Sequence, residues 1–83
     1  MALQFIDFDE NSGANNSPTI WVEDTTGDLV VQSYELTPET LADVHKNPAP
    51  GHQPGVPAGE LVIRIPARMR DAIRKACDVA DSL

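Results

Sequence analysis

The sequence predicts a small α+β domain. An antiparallel sheet of three to four strands is packed on one face by a C-terminal helix, with a short helix at about 38–46. Three observations carry this reading. Residues 19–36 form a β-hairpin pattern, two β-branched and aromatic runs around Asp24-Thr25-Thr26-Gly27-Asp28. Thr37-Pro38-Glu39 combines several helix-start signals. Met69, Ala72, Ile73, Ala76, Cys77 and Ala80 recur at three- and four-residue spacing, an amphipathic stripe. The 83 residues are read as a single domain over 1–83, a size that buries roughly 60–65% of the unfolded surface.

Leu3 to Phe8 is a short apolar run and the first strand. Its periodicity is mixed, because Phe5 and Ile6 cannot both face one side of a regular strand. Asp9 to Ser17 is a loop by its Asn, Gly and Ser content. Thr19 to Asp24 is the next strand, and Gly27 suits the positive φ of a tight turn. Leu29 to Leu36 returns, with Val30, Tyr34 and Leu36 on one face. The aromatic residues Phe5, Phe8, Trp21 and Tyr34 all lie in the first half, which is therefore expected to anchor the core. Trp21 belongs to that core on a central strand. If one sheet face is open, Trp21 or Tyr34 becomes a binding anchor instead.

Thr37 is placed to cap the next helix, Pro38 fits its first position, and Glu39 suits its positive end. Leu36 and Leu41 are spaced as a hydrophobic staple. This helix stops near Lys46, before Asn47-Pro48. Residues 48–59 hold four prolines and three glycines, a composition for a flexible, extended loop. Pro54-Gly55-Val56-Pro57 has the spacing of a polyproline ligand, with Lys46 the one nearby cation, and a plain linker is the favoured reading. Leu61 to Ile65 reads as a strand with Leu61, Ile63 and Ile65 on one face. Pro66 then starts the last helix, which runs to about Ala80 and takes Cys77 into the core as a small apolar residue.

Charge divides the chain. Arg64, Arg68, Arg70, Arg74 and Lys75 fall within the last twenty residues, whereas Lys46 alone faces ten carboxylates before them. A net charge of −7 opposes direct nucleic acid binding and favours a basic or complementary protein partner. Arg68 and Arg70 stand in the first turns of the last helix, and Asp78 and Asp81 at its end, against the dipole by ~0.3–1 kcal/mol each. The arginines admit two readings. Arg64, Arg68, Arg70 and Arg74 form an anion-binding face, or, the favoured reading, they pair with the chain's own acidic sheet or simply sit in solvent.

No catalytic constellation is visible, and the chain is read as a non-enzyme with no cofactor and no metal. Asp7 to Gly13 resembles the start of a calcium loop, but the sixth place from Asp7 is Ser12 and the twelfth Pro18, where Gly and Glu are required. His45, His52 and Cys77 match no zinc spacing. Ser17, Ser33 and Ser82 lack a His–Asp grouping, and Gly51, Gly55 and Gly59 precede a strand rather than a helix, unlike a phosphate loop. The single cysteine fits a reducing compartment, and the N-terminus lacks the basic start and long apolar run of a signal peptide. With no apolar stretch of membrane-spanning length, the expected location is the cytoplasm, without membrane association.

Ser17-Pro-Thr-Ile-Trp-Val, Thr26-Gly-Asp-Leu-Val-Val-Gln-Ser-Tyr and Val62-Ile-Arg-Ile-Pro-Ala-Arg-Met together resemble a group of short acidic actinobacterial proteins. Members are often encoded beside helix-turn-helix transcriptional regulators of the sporulation type. The resemblance covers most of residues 3 to 80, although the 48–59 loop is longer than the group's usual connection. It implies a cytoplasmic partner or modulator of such a regulator. The group has no established biochemical activity, so no functional residue is carried over.

The expected function is a non-enzymatic interaction module. The hairpin acids Glu23, Asp24 and Asp28 meet a basic surface, with Trp21 and Tyr34 as anchors. The alternative is a small-molecule or anion-binding module using Arg64, Arg68, Arg70 and Arg74. A sheet this small leaves an edge or face on which a homodimer can also pair.

Overall fold

A computed structural model describes residues 2–11 and 18–83. The chain, read as one domain over 1–83, packs as two compact units, Met1–Ser33 with Ile65–Leu83 and Tyr34–Arg64. The fold is α+β, with a three-stranded antiparallel sheet, a second small sheet, a C-terminal helix and a short helix.

In the first unit, β1 (Leu3–Phe8), β2 (Thr19–Glu23) and β3 (Leu29–Gln32) form the sheet in the order β1-β2-β3. On β2 the alternation is clean. Ile20 and Val22 are fully buried, while Thr19, Trp21 and Glu23 face the other way. The mixed periodicity of β1 has a structural cause. Its register with β2 shifts between Phe5 and Asp7, leaving Ile6 as an extra residue. Ile6 is buried in the core, and Lys75 Nζ donates to its carbonyl at 3.3 Å. Such a bulge bends the strand and re-aims the side chains beyond it.

The last helix is α2 (Arg70–Asp81), entered through a 3-10 turn at Ala67–Met69. Pro66 precedes that turn, and Met69 N–H donates to the Pro66 carbonyl at 2.9 Å. Met69, Ala72 and Ala76 are buried against Ile6, Ile20 and Val22, with Val31, Ile73, Val79 and Ala80 packed around them. Two alanines at the contact keep the helix close to the sheet. Cys77 is exposed, contrary to the expectation that it joins the core. It lies about 100° around the helix from Ala76, at the margin of the stripe.

The expected aromatic core is also corrected. Every buried apolar side chain described is aliphatic or Met69, and Phe5, Phe8 and Tyr34 are exposed. Trp21 is half-buried and sits on the β2 face opposite Ile20 and Val22, not in the core.

The returning strand does not run on to Leu36. It stops at Gln32, opposite Thr19, and resumes as β4 (Tyr34–Glu35) in the second sheet. Pro18, just before β2, turns its carbonyl toward β1, where Asp9 N–H donates to it at 2.9 Å. Val30 and Tyr34 therefore belong to different sheets.

In the second unit, β4 pairs with β5 (Ile63–Arg64), Tyr34 opposite Arg64 and Glu35 opposite Ile63. The strand expected over 61–65 is thus only two residues long, and Leu61 is 91% exposed. The short helix α1 (Pro38–Lys46) starts as the sequence predicts, with Thr40 N–H donating to Thr37 Oγ1 at 3.2 Å. It buries none of its residues. The Pro/Gly segment is organised by turns. Ala49-Pro50-Gly51-His52 closes with His52 N–H on the Ala49 carbonyl at 2.9 Å, and Gly51 takes φ 80°. Proline second and a positive-φ glycine third are what a type II turn requires. Of the loop expected over Asp9–Ser17, residues 12–17 lie outside the described residues, as does much of the weighed calcium pattern.

Candidate protein-binding face

The β1–β3 sheet has two faces, and α2 covers one. On the other, the register sets Phe5 opposite Trp21 and Trp21 opposite Val30, while Leu3 lies opposite Glu23 and Phe8 opposite Thr19. Cross-strand partners share a face. Leu3, Phe5, Phe8, Trp21 and Val30 therefore form one apolar patch across all three strands.

The bulge at Ile6 builds this patch. Phe5 and Phe8 are three residues apart, so in a regular strand they would face opposite sides. The extra residue restores Phe8 to the side of Phe5, and the two rings lie 6.3 Å apart between centroids, tilted by 37°. That spacing is within the favourable range for aromatic pairs. The patch is open: Leu3 is 50%, Phe5 56%, Phe8 43% and Val30 36% exposed.

One end of the patch is acidic. The turn between β2 and β3 holds Asp24 and Asp28, with Glu23 on the patch itself. Gly27 makes this turn possible at φ 77°, its N–H donating to the Glu23 carbonyl at 2.9 Å. Thr26 Oγ1 donates to Glu23 Oε2 and accepts from Asp28 N–H, both at 3.1 Å. Asp24 is tied to β1, with Ala2 N–H on its Oδ1 at 3.3 Å and its own N–H on the Ala2 carbonyl at 3.1 Å. The turn thus sets three acidic residues at one end of the sheet, with the Glu23 carboxylate held by the Thr26 hydroxyl and that of Asp24 by the Ala2 N–H. No Lys or Arg occurs before Lys46, so no cation of these strands offsets them.

No family model, curated protein or solved structure matches this chain.

Of the sequence-predicted partner residues, Trp21, Glu23, Asp24 and Asp28 come together in the first unit. Tyr34 belongs to the second, paired with Arg64 on β5. Leu3, Phe5, Phe8 and Val30 were not among the residues the sequence singled out. The trace that could have found them was the Phe5-Ile6 conflict, the signature of a bulge.

The arginines have partners within the chain. Arg68 is the most firmly held: its Nε donates to both Asp9 carboxylate oxygens at 2.9 Å, and its Nη2 to Oδ2 at 2.6 Å. Asp9 is 2% exposed and also accepts from Asn11 N–H at 3.1 Å. Arg74 pairs with Asp71 at 2.6 Å, one turn away on exposed helix. Arg70 Nε donates to the Ala67 carbonyl at 3.1 Å, at the uncapped start of α2. Arg64, in the second unit, donates to Thr40 Oγ1 at 2.9 Å.

Among the described residues, no group of three or more His, Cys, Asp or Glu side chains could hold a metal ion, and no helix is long and apolar enough to cross a membrane. The second unit has an open cleft of about 560 Å³ where α1 meets the Pro/Gly segment, lined by Val44, Val56, Val62 and prolines, with His52 and Glu60. His52 Nδ1 lies 3.2 Å from the Pro50 carbonyl.

Proposed function

We propose that this chain is a non-enzymatic interaction module whose open sheet face receives a protein partner with a basic surface. The observation that carries this reading is the placement of Phe5, Phe8 and Trp21 on the uncovered face, while a small aliphatic core holds the fold. Contiguous apolar surface rimmed by polar groups is how interaction sites on small proteins are built. Trp21, flanked by Phe5 and Val30, has the central position and the residue type of a binding hot spot.

Glu23, Asp24 and Asp28 accelerate and select the encounter with a cationic partner. The resemblance to short acidic actinobacterial proteins points to a helix-turn-helix regulator as that partner, and to a modulating role in the cytoplasm. The test is co-purification of any such regulator encoded beside this chain, at low and high salt. Retention at low salt, weakened by salt and by Phe5→Thr, supports the reading. No association at either salt would sink it. Anion binding through Arg64, Arg68, Arg70 and Arg74 has no comparable support: Arg68 and Arg74 are paired with carboxylates, and Arg64 and Arg70 donate separately to Thr40 and the Ala67 carbonyl.

A further inference from the structure

We infer that the segment received by the Leu3–Phe5–Phe8–Trp21–Val30 face is a cationic amphipathic helix of about three turns. This rests on the proposed interaction function and adds the conformation and charge of the partner segment.

Hydrogen bonding favours a helix. A sheet face presents side chains and no free backbone groups; those lie along the outer edges of β1 and β3. A segment pressed onto the face must satisfy its own buried N–H and C=O groups. A helix does this within one segment, and an extended peptide does not.

Size favours it too. The three strands span about 10 Å between outer axes, two strand spacings, and a five-residue strand is about 17 Å long. A helix is about 10 Å wide, and twelve residues span about 18 Å. The chain itself supplies the precedent: the 12-residue α2 covers the opposite face of these same strands. The open face repeats that footprint with larger side chains, suited to a helix carrying Leu or Ala at the contact.

Charge sets the sign of the partner. Glu23, Asp24 and Asp28 stand at one end of the face, and β1–β3 carry no Lys or Arg. A second copy docked face to face would bring three more carboxylates and no cation from its own strands. A helix with Lys or Arg flanking its apolar stripe complements the face.

The experiment is an NMR titration of the 15N-labelled full chain with three 14-residue peptides. One is an amphipathic Leu/Lys helix, one has the same composition with two central prolines, and one is the Leu/Glu counterpart. The Leu/Lys helix is expected to shift the β1–β3 amides and the Trp21 indole, and the other two at least about tenfold more weakly. Phe5→Thr keeps a strand-forming residue and is expected to weaken that binding by about tenfold or more, as loss of a hot-spot contact does. Glu23→Gln with Asp28→Asn is expected to weaken it severalfold at low salt.

Equal binding of the proline peptide at this face would overturn the helix while leaving the interaction function intact. Shifts confined to α2 or to Tyr34–Arg64, unchanged by Phe5→Thr, would overturn both. A homodimer in sedimentation that Phe5→Thr dissociates would make a second copy the occupant and overturn the cationic helix.

Discussion

On one face of the β1–β3 sheet, Ile6, Ile20 and Val22 are buried under Met69, Ala72 and Ala76. On the other, Leu3, Phe5, Phe8 and Val30 stand exposed around a half-buried Trp21. The same three strands supply both. The covered face is built of aliphatic side chains and closed with alanines. The uncovered face holds the larger, aromatic surface. If folding alone had set the sequence, the rings would be expected inside, because they bury the most area. Their position sets the two faces apart: one holds the fold, and in the proposed function the other is the face for association.

This separation makes the faces respond differently to substitution. The largest effect belongs to the covered face. Ile20→Ala is expected to lower the unfolding free energy by about 2–5 kcal/mol, since the fully buried side chain leaves a cavity beneath α2. Urea denaturation measures it, and a loss well under 1 kcal/mol would mean that Ile20 is not the centre of the core.

Next is the Arg68–Asp9 pair. Removing Arg68 deprives a buried carboxylate of its guanidinium. A fully buried pair broken this way costs about 3–5 kcal/mol. Arg68 is 46% exposed, and water reaches it, so Arg68→Ala is expected to cost about 1–2 kcal/mol. Asp9→Asn with Arg68→Ala should recover part of that loss in a double-mutant cycle; strict additivity would deny the coupling.

Gly27→Ala comes third. A Cβ there would meet nothing closer than the Ala80 carbonyl at 3.9 Å, so the penalty is the backbone's alone. At φ 77° it is expected to be about 1–2 kcal/mol, read from the thermal midpoint. The smallest effect belongs to the uncovered face: Phe5→Thr is expected to change stability by less than about 1 kcal/mol, because the ring is mostly in water already.

Much of this fold was legible from local chemistry. Thr37 and Pro38 announced α1, Gly27 marked the turn, and the spacing of Met69, Ala72 and Ala76 gave the core side of α2. What failed depended on partners distant in the chain. β3 gives way to β4 where Tyr34 and Glu35 pair with Arg64 and Ile63, partners that no pattern within residues 29–36 contains. Cys77 satisfied the helical spacing yet fell at the stripe's margin, because the width of the buried face is decided by the sheet. The candidate face was half legible: Trp21, Glu23, Asp24 and Asp28 stand out by type, whereas Phe5 and Phe8 reach the same side only through a one-residue bulge.

The most direct test of the division between the two faces is the affinity of Phe5→Thr/Val30→Thr for the Leu/Lys helix, measured on a chain whose thermal midpoint is checked alongside. The expected midpoint is within roughly 4–8 °C of the parent, the equivalent of about 1 kcal/mol, with an affinity reduced by about tenfold or more. Undiminished affinity in a folded variant would contradict the division.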